Sequence, residues 1–277
     1  LAGWKPSRNL LIVLMIFSIG WYHGFRSVIG GQFAVIEALL LIGGLLAIQK
    51  GQDSVAGVLF GLSIAKPHMA ILLIPFVFLW ALRARRWVFI SWMVCTVVVL
   101  IGGSLLLIGD WPLLWLRQMN DYSGWTTNPT PVSIIAGAFP AASRNLEIGL
   151  TVVLMLYLFW DWVSAMGKGD RWFQWTAVLT IVITNIIPLR TATTHFVVLL
   201  PALIMIFNAW DERWGKSGRI AIVFSLIVIL IGLWVLFLIS VEGNIENDIM
   251  YLPIPILSLF GLWWARWWIV RASSIRV

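Results

Sequence analysis

Long stretches without a charged side chain decide what this chain can become. Residues 87–108 and 220–240 each pass without Asp, Glu, Lys or Arg. At about 1.5 Å of rise per helical residue, either run crosses a hydrocarbon core of about 30 Å. Apolar runs recur along the whole chain, with charge confined mostly to the gaps, and their period is helical or continuous. The ten-residue alternating strands of a membrane barrel are not seen. With 61% hydrophobic residues and a mean hydropathy of +0.94, the 277 residues read as an all-α polytopic membrane protein of one domain.

About ten membrane segments are expected, at 10–22, 31–49, 54–65, 68–82, 87–108, 148–163, 172–188, 196–209, 220–240 and 250–269, the third and fourth of them short. If the chain before residue 10 is cytoplasmic and each segment crosses or re-enters in turn, Lys and Arg divide 14 to 5 in favour of the cytoplasmic side. That is the asymmetry of the positive-inside rule, and Trp residues near the same ends add an aromatic belt. The net charge of +7 therefore belongs to membrane orientation, and no nucleic-acid partner is expected. The outer loops are then 23–30, 109–147, 189–195 and 241–249. Within the longest, Asp110 and Pro112 mark a helix start, and the Leu- and Trp-bearing stretch after them is too short to span but suits the interface. Asn128-Pro129-Thr130-Pro131 ends any helix there. The single cysteine, Cys95, allows no intrachain disulfide. The first residue is Leu and no signal peptide is visible, so the chain reads as a fragment with residues missing upstream.

One stretch, 30–86, carries the strongest functional signal. The runs 54–65 and 68–82 hold 12 and 15 residues. They reach only about 18 and 22 Å, so the break between them, Lys66-Pro67-His68, lies below the outer surface. Broken backbone at that depth must be packed in protein or line a wet cavity. Pro67 disfavours helical geometry at Lys66 and fits the first turn of the helix that follows. The expected result is an anion site made of a helix N-terminus and the Lys66 ammonium; the plainer alternative is a kinked helix with a snorkelling lysine.

Other polar residues map to the same side. Gln32 sits on the first outer turn after Gly30-Gly31, and Glu37 lies about 7 Å deeper. Glu37 is a buried carboxylate paired with another helix, protonated, or functional. Arg190 and His195 follow Ile187-Pro188, where Arg190 can hold phosphate and His195 can donate to a sugar hydroxyl or phosphate oxygen. His23, His68 and His195, all the histidines of the chain, fall on this side. No pair of them has the i, i+4 spacing of metal ligands, so no metal and no cofactor is expected. The outer acids Asp110, Asp121, Glu147, Glu242, Glu246 and Asp248 offer carboxylates without marking one as catalytic. Nucleotide-binding loops, the nucleophile elbow and the zinc-protease motif are absent.

A Gly-Gln opening a membrane helix, then Ala56-Gly57 with Leu59 and Gly61, then Ala65-Lys66-Pro67 and an apolar helix ending in Arg-Arg-Trp resembles glycosyltransferase family 87, multi-spanning enzymes of the GT-C class. Pro188-Leu189-Arg190, His195-Phe196 and Leu199-Leu200-Pro201 resemble that family's distal segment, so the likeness covers about residues 10–210. The resemblance implies a GT-C-like helical bundle and a polyprenyl-phosphate donor carrying mannose or a pentofuranose. It implies transfer at the outer face of a cell membrane, the bacterial inner membrane in this reading, to a lipid-linked glycan or glycolipid. Its essential Asp belongs in the first outer loop. No Asp or Glu stands between residues 1 and 31, so the resemblance implies that the N-terminal helix and first outer loop lie upstream with the catalytic residue, which stays unassigned. Lys66, Arg190 and Arg26 are the cations for the leaving phosphate; Gln32, His23, His68 and His195 complete the substrate-binding set, and Trp125 is a candidate to stack on a sugar. Two other classes stay open: a secondary transporter, which also uses broken helices, and a non-catalytic membrane scaffold or lipid-binding subunit.

Overall fold

A computed structural model describes residues 4–125, 128–189, 192–243 and 245–271. Every regular element among them is helical, apart from a single bridge between Glu242 and Ile245. Five helices are long and apolar enough to cross a membrane: Trp87–Leu107, Pro140–Ala165, Thr193–Trp214, Lys216–Ser240 and Asp248–Val270. A sixth is reached if the bent pair α1 (Arg8–Gly20) and α2 (Tyr22–Ile29) counts as one span. Three shorter apolar helices, Ala34–Gln49, Asp53–Ala65 and Leu73–Arg83, accompany them. The sequence expectation of about ten segments thus meets five or six full-length spans and several partial ones.

The core lies on α11 (Asp170–Thr184) and on the span that runs through Thr193–Leu199 into α12 (Leu200–Trp214). Every α11 residue from Phe173 to Thr184 is buried. Its threonines are tolerated there because they repeat every fourth residue. Thr180 Oγ1 donates to the Thr176 carbonyl and Thr184 Oγ1 to that of Thr180, both at 2.7 Å, so these two hydroxyls are satisfied within the helix. The span Thr193–Trp214 is 83% buried, whereas α7 (Trp87–Leu107) is only 6% buried and belongs to lipid on most of its surface. What holds α7 is α4 (Asp53–Leu62), through Gly57 and Gly61. A Cβ on Gly57 would stand 2.5 Å from the Phe89 carbonyl oxygen, so the two backbones touch where a larger residue has no room.

Three local departures from the sequence reading have plain causes. Residues 23–30, expected as a loop, are mostly α2: the helix bends by 53° at Trp21, whose backbone is extended, and then resumes. The long loop 109–147 carries α8 (Trp111–Trp125), α9 (Pro131–Gly137) and the start of α10 (Ser143–Ala165). Thr130 and Ser133 form a capping box that turns the Asn-Pro-Thr-Pro break into a helix start. The helix expected at 68–82 is two pieces, α5 (Pro67–Ala70) and α6 (Leu73–Arg83). Pro75 has no N–H to give the Ile71 carbonyl, so the first turn cannot continue through it.

Candidate functional site

The break at Lys66 is built as its sequence asks. A 3-10 turn, Ser63–Ala65, ends α4, and Lys66 leaves helical geometry with φ −128° and ψ 70°. Its side chain is half-buried. Because α5 is one turn of four residues, it lacks the aligned peptides that give a long helix its N-terminal charge. Of the two parts expected of an anion site, the helix terminus is therefore too short to contribute, which leaves the Lys66 ammonium as the candidate cation.

Four titratable side chains from distant parts of the chain meet here. Lys66 lies within electrostatic reach of Glu37, His68 and His195. The His68 and His195 rings are 5.0 Å apart between centroids. Glu37, on the first turn of α3 (Ala34–Gln49), is wholly buried, and neither carboxylate oxygen has a hydrogen-bond partner among the described residues. Among those residues, only Lys66 is in position to compensate it. His195 is 8% exposed and its Nδ1 is likewise unpartnered. Buried polar atoms left open in this way are rare in a native core and mark a place for a ligand or ordered water. Gly31, at φ +57°, makes the tight turn that starts α3 and so fixes the depth of Glu37.

The other expected residues are placed differently. His23 is wholly buried in an aromatic nest, with ring centroids 5.3 Å from Trp21, 5.2 Å from Tyr22 and 5.2 Å from Phe196. Arg26 pairs with Glu246 at 3.4 Å and donates to Tyr22 Oη at 2.7 Å. Tyr22 Oη and Thr193 Oγ1 donate in turn to Glu246 at 2.9 and 2.8 Å. Glu246 thus straps the 241–249 connection onto α2 and the Thr193 segment, and Ser27 Oγ adds a bond of 2.6 Å to the Thr194 carbonyl. Gln32 is exposed at the turn before α3. Arg190 and the Trp125 side chain lie outside the described residues.

Sequence reasoning passed over a second charged constellation. Arg266 Nη2, on α14 (Pro253–Val270), donates to Asp161 Oδ1 on α10 at 2.6 Å, and the Asp161 side chain is fully buried. The guanidinium also lies 4.7 Å from the Trp175 ring centroid. The signal was present as a lone Asp and a lone Arg, each inside an apolar, Trp-rich run.

A search of curated proteins and a search of solved structures return no match to this chain. The model of glycosyltransferase family 87 matches residues 2–184, a stretch that holds Glu37, Lys66 and His68. That match covers well over half of the 277 residues, and the chain belongs to glycosyltransferase family 87.

Proposed function

We propose that this membrane glycosyltransferase moves a sugar of the mannose or pentofuranose type from a polyprenyl-phosphate donor to a lipid-linked glycan or glycolipid. The reaction is placed at the outer face of the cell membrane, the inner membrane in a bacterium. The observation that supports this reading is the convergence of Lys66, His68 and His195 at the helix break between α4 and α5, in a bundle whose outer helices are apolar enough to face lipid. A lipid-phosphate leaving group arrives from the bilayer and carries its negative charge at headgroup depth. It needs a fixed cation in a poorly hydrated place, where such a charge counts for more than in water.

In this reading the Lys66 ammonium takes the charge that develops on the phosphate as the anomeric C–O bond breaks. His68 and His195 hydrogen-bond phosphate or sugar oxygens, and Arg190 supplies a second cation. Arg26 and His23 shape the wall of the site through Glu246 and the aromatic nest. The acceptor hydroxyl loses its proton to a carboxylate that the family places in its first outer loop.

The test is transfer by the full-length protein in proteoliposomes, with polyprenyl-phosphate mannose and polyprenyl-phosphate pentofuranose offered beside nucleotide sugars. Incorporation of label into lipid-extractable product from a lipid-phosphate donor is expected. Incorporation from nucleotide sugars alone would overturn the donor assignment.

A further inference from the structure

A cavity of about 160 Å³ lies at the far end of the bundle from Lys66. It is lined by Gln49 at the end of α3, by Asp170 and Gln174 at the start of α11, by Asn208 and Glu212 near the end of α12, and by Trp268 on α14. Glu37 and Gln49 stand near opposite ends of the same helix, which separates the two sites by about 18 Å along its axis. This is the end where Arg86 pairs with Asp53 and Arg219 with Asp211, the basic side that the charge distribution assigns to the cytoplasm.

Gln174 is 5% exposed and lines the floor, and its carboxamide has no hydrogen-bond partner among the described residues. Its polar atoms are open to the cavity, where water or a ligand completes them. Asn208, also buried, stands beside it on the floor. The rim carries two carboxylates, Asp170 and Glu212, against one guanidinium, that of Arg171, which donates to the Arg271 carbonyl at 2.7 Å. The balance of charge turns phosphate away. Carboxamides offer both donors and acceptors, carboxylates accept, and the Trp268 indole, which carries the Arg213 guanidinium 4.3 Å from its ring centroid, adds apolar surface where it borders the cavity. Hydroxyls spaced around a ring with one apolar face satisfy all three. The volume holds several waters and leaves room for one such ring.

We propose that this cavity is a second ligand site, specific for a neutral polyhydroxylated ring such as a monosaccharide or the sugar end of a glycolipid, and separate from the Lys66 site. The proposal does not depend on the transfer reaction. Purified full-length protein in nanodiscs is tested by saturation-transfer NMR with D-mannose, D-glucose, choline chloride and inorganic phosphate as probes. A saturable signal from a monosaccharide is expected. It should survive Lys66→Gln and weaken about tenfold in Gln174→Leu, as loss of a buried hydrogen-bonding group predicts. Because Gln174→Leu can impair folding, Gln49→Ala at the exposed rim serves as the second variant, with a severalfold weakening expected. Binding lost in Lys66→Gln but unchanged in both cavity variants overturns the proposal. So does saturable binding of choline or phosphate without a sugar signal, or no saturable signal from any probe.

Discussion

His68 and His195 face each other with ring centroids 5.0 Å apart, one from the broken helix and one from the segment that leads into the most buried span. Their contact ties the Lys66 break to the centre of the fold, so the cation of the site is fixed by the core and does not ride on a loose loop. Lys66→Ala should then reduce transfer from a polyprenyl-phosphate sugar by roughly ten- to hundredfold, the loss of about 1.5–3 kcal/mol expected for a charge-assisted hydrogen bond. Lys66→Arg should retain part of the activity, since the charge survives while the shape changes. Rates against donor concentration, at matched amounts of folded protein, decide it. Wild-type kinetics for Lys66→Gln would remove the phosphate role from Lys66 and shift it to Arg190.

The Asp161–Arg266 pair yields a stability prediction that is independent of catalysis. Arg266→Met alone leaves a fully buried carboxylate without its partner, a change that typically costs about 3–5 kcal/mol. The double variant Asp161→Leu with Arg266→Met should recover most of that loss, because an apolar pair of similar volume spares the desolvation cost. Thermal unfolding of the four proteins of the cycle in detergent measures the coupling. Equal and additive losses from the two single changes would mean that the pair contributes nothing as a pair.

At the opposite end, Glu246→Gln should loosen the strap. It removes the ion pair with Arg26 and weakens the bonds from Tyr22 and Thr193. Arg26 is 39% exposed, so the expected cost is discounted to about 1 kcal/mol. The readout is limited proteolysis of residues 241–249, which should become faster while the rest of the bundle stays intact. An unchanged cleavage rate would show that apolar packing alone keeps the connection in place.

Orientation is checked by cysteine labelling of intact cells in a Cys95→Ser background. Asn128→Cys should react with an impermeant maleimide, and Arg85→Cys should react only after permeabilisation. The reverse pattern would invert the bundle and place the Lys66 site on the inside.

Much of the fold could be read from periodicity and charge, because lipid leaves a chain few options: apolar runs become helices, and cations collect on one side. The segments at 87–108 and 220–240 fall within two residues of α7 and within four of α13 (Lys216–Ser240). The break at Lys66 was legible because Pro67 acts on its immediate neighbour. The second break, at Ile71-Leu72, also had its cause in view in Pro75, whose effect reaches four residues back. The partners of Arg26 and His23 were not legible. Whether a guanidinium meets Glu246 or a ligand depends on which helix faces cross, and spacing along one helix does not carry that. Asp161 and Arg266 show the same limit, since each appears in the sequence as an isolated charge and only α10 packing near α14 makes them a pair.

The short helices beside the site act on the membrane as well as on the protein. The 13 residues of Asp53–Ala65 and the 11 of Leu73–Arg83 give apolar lengths of about 20 and 17 Å, against a hydrocarbon thickness of about 30 Å. A stretch that short is met by a locally thinner bilayer, by snorkelling flanking residues or by packing against longer helices, as α4 packs on α7. Thinning beside α6 would dimple the bilayer near Lys66. Under the proposed reaction, a lipid-linked phosphate moving in the leaflet would descend that slope, and the mismatch would carry the charged end of the donor toward Lys66.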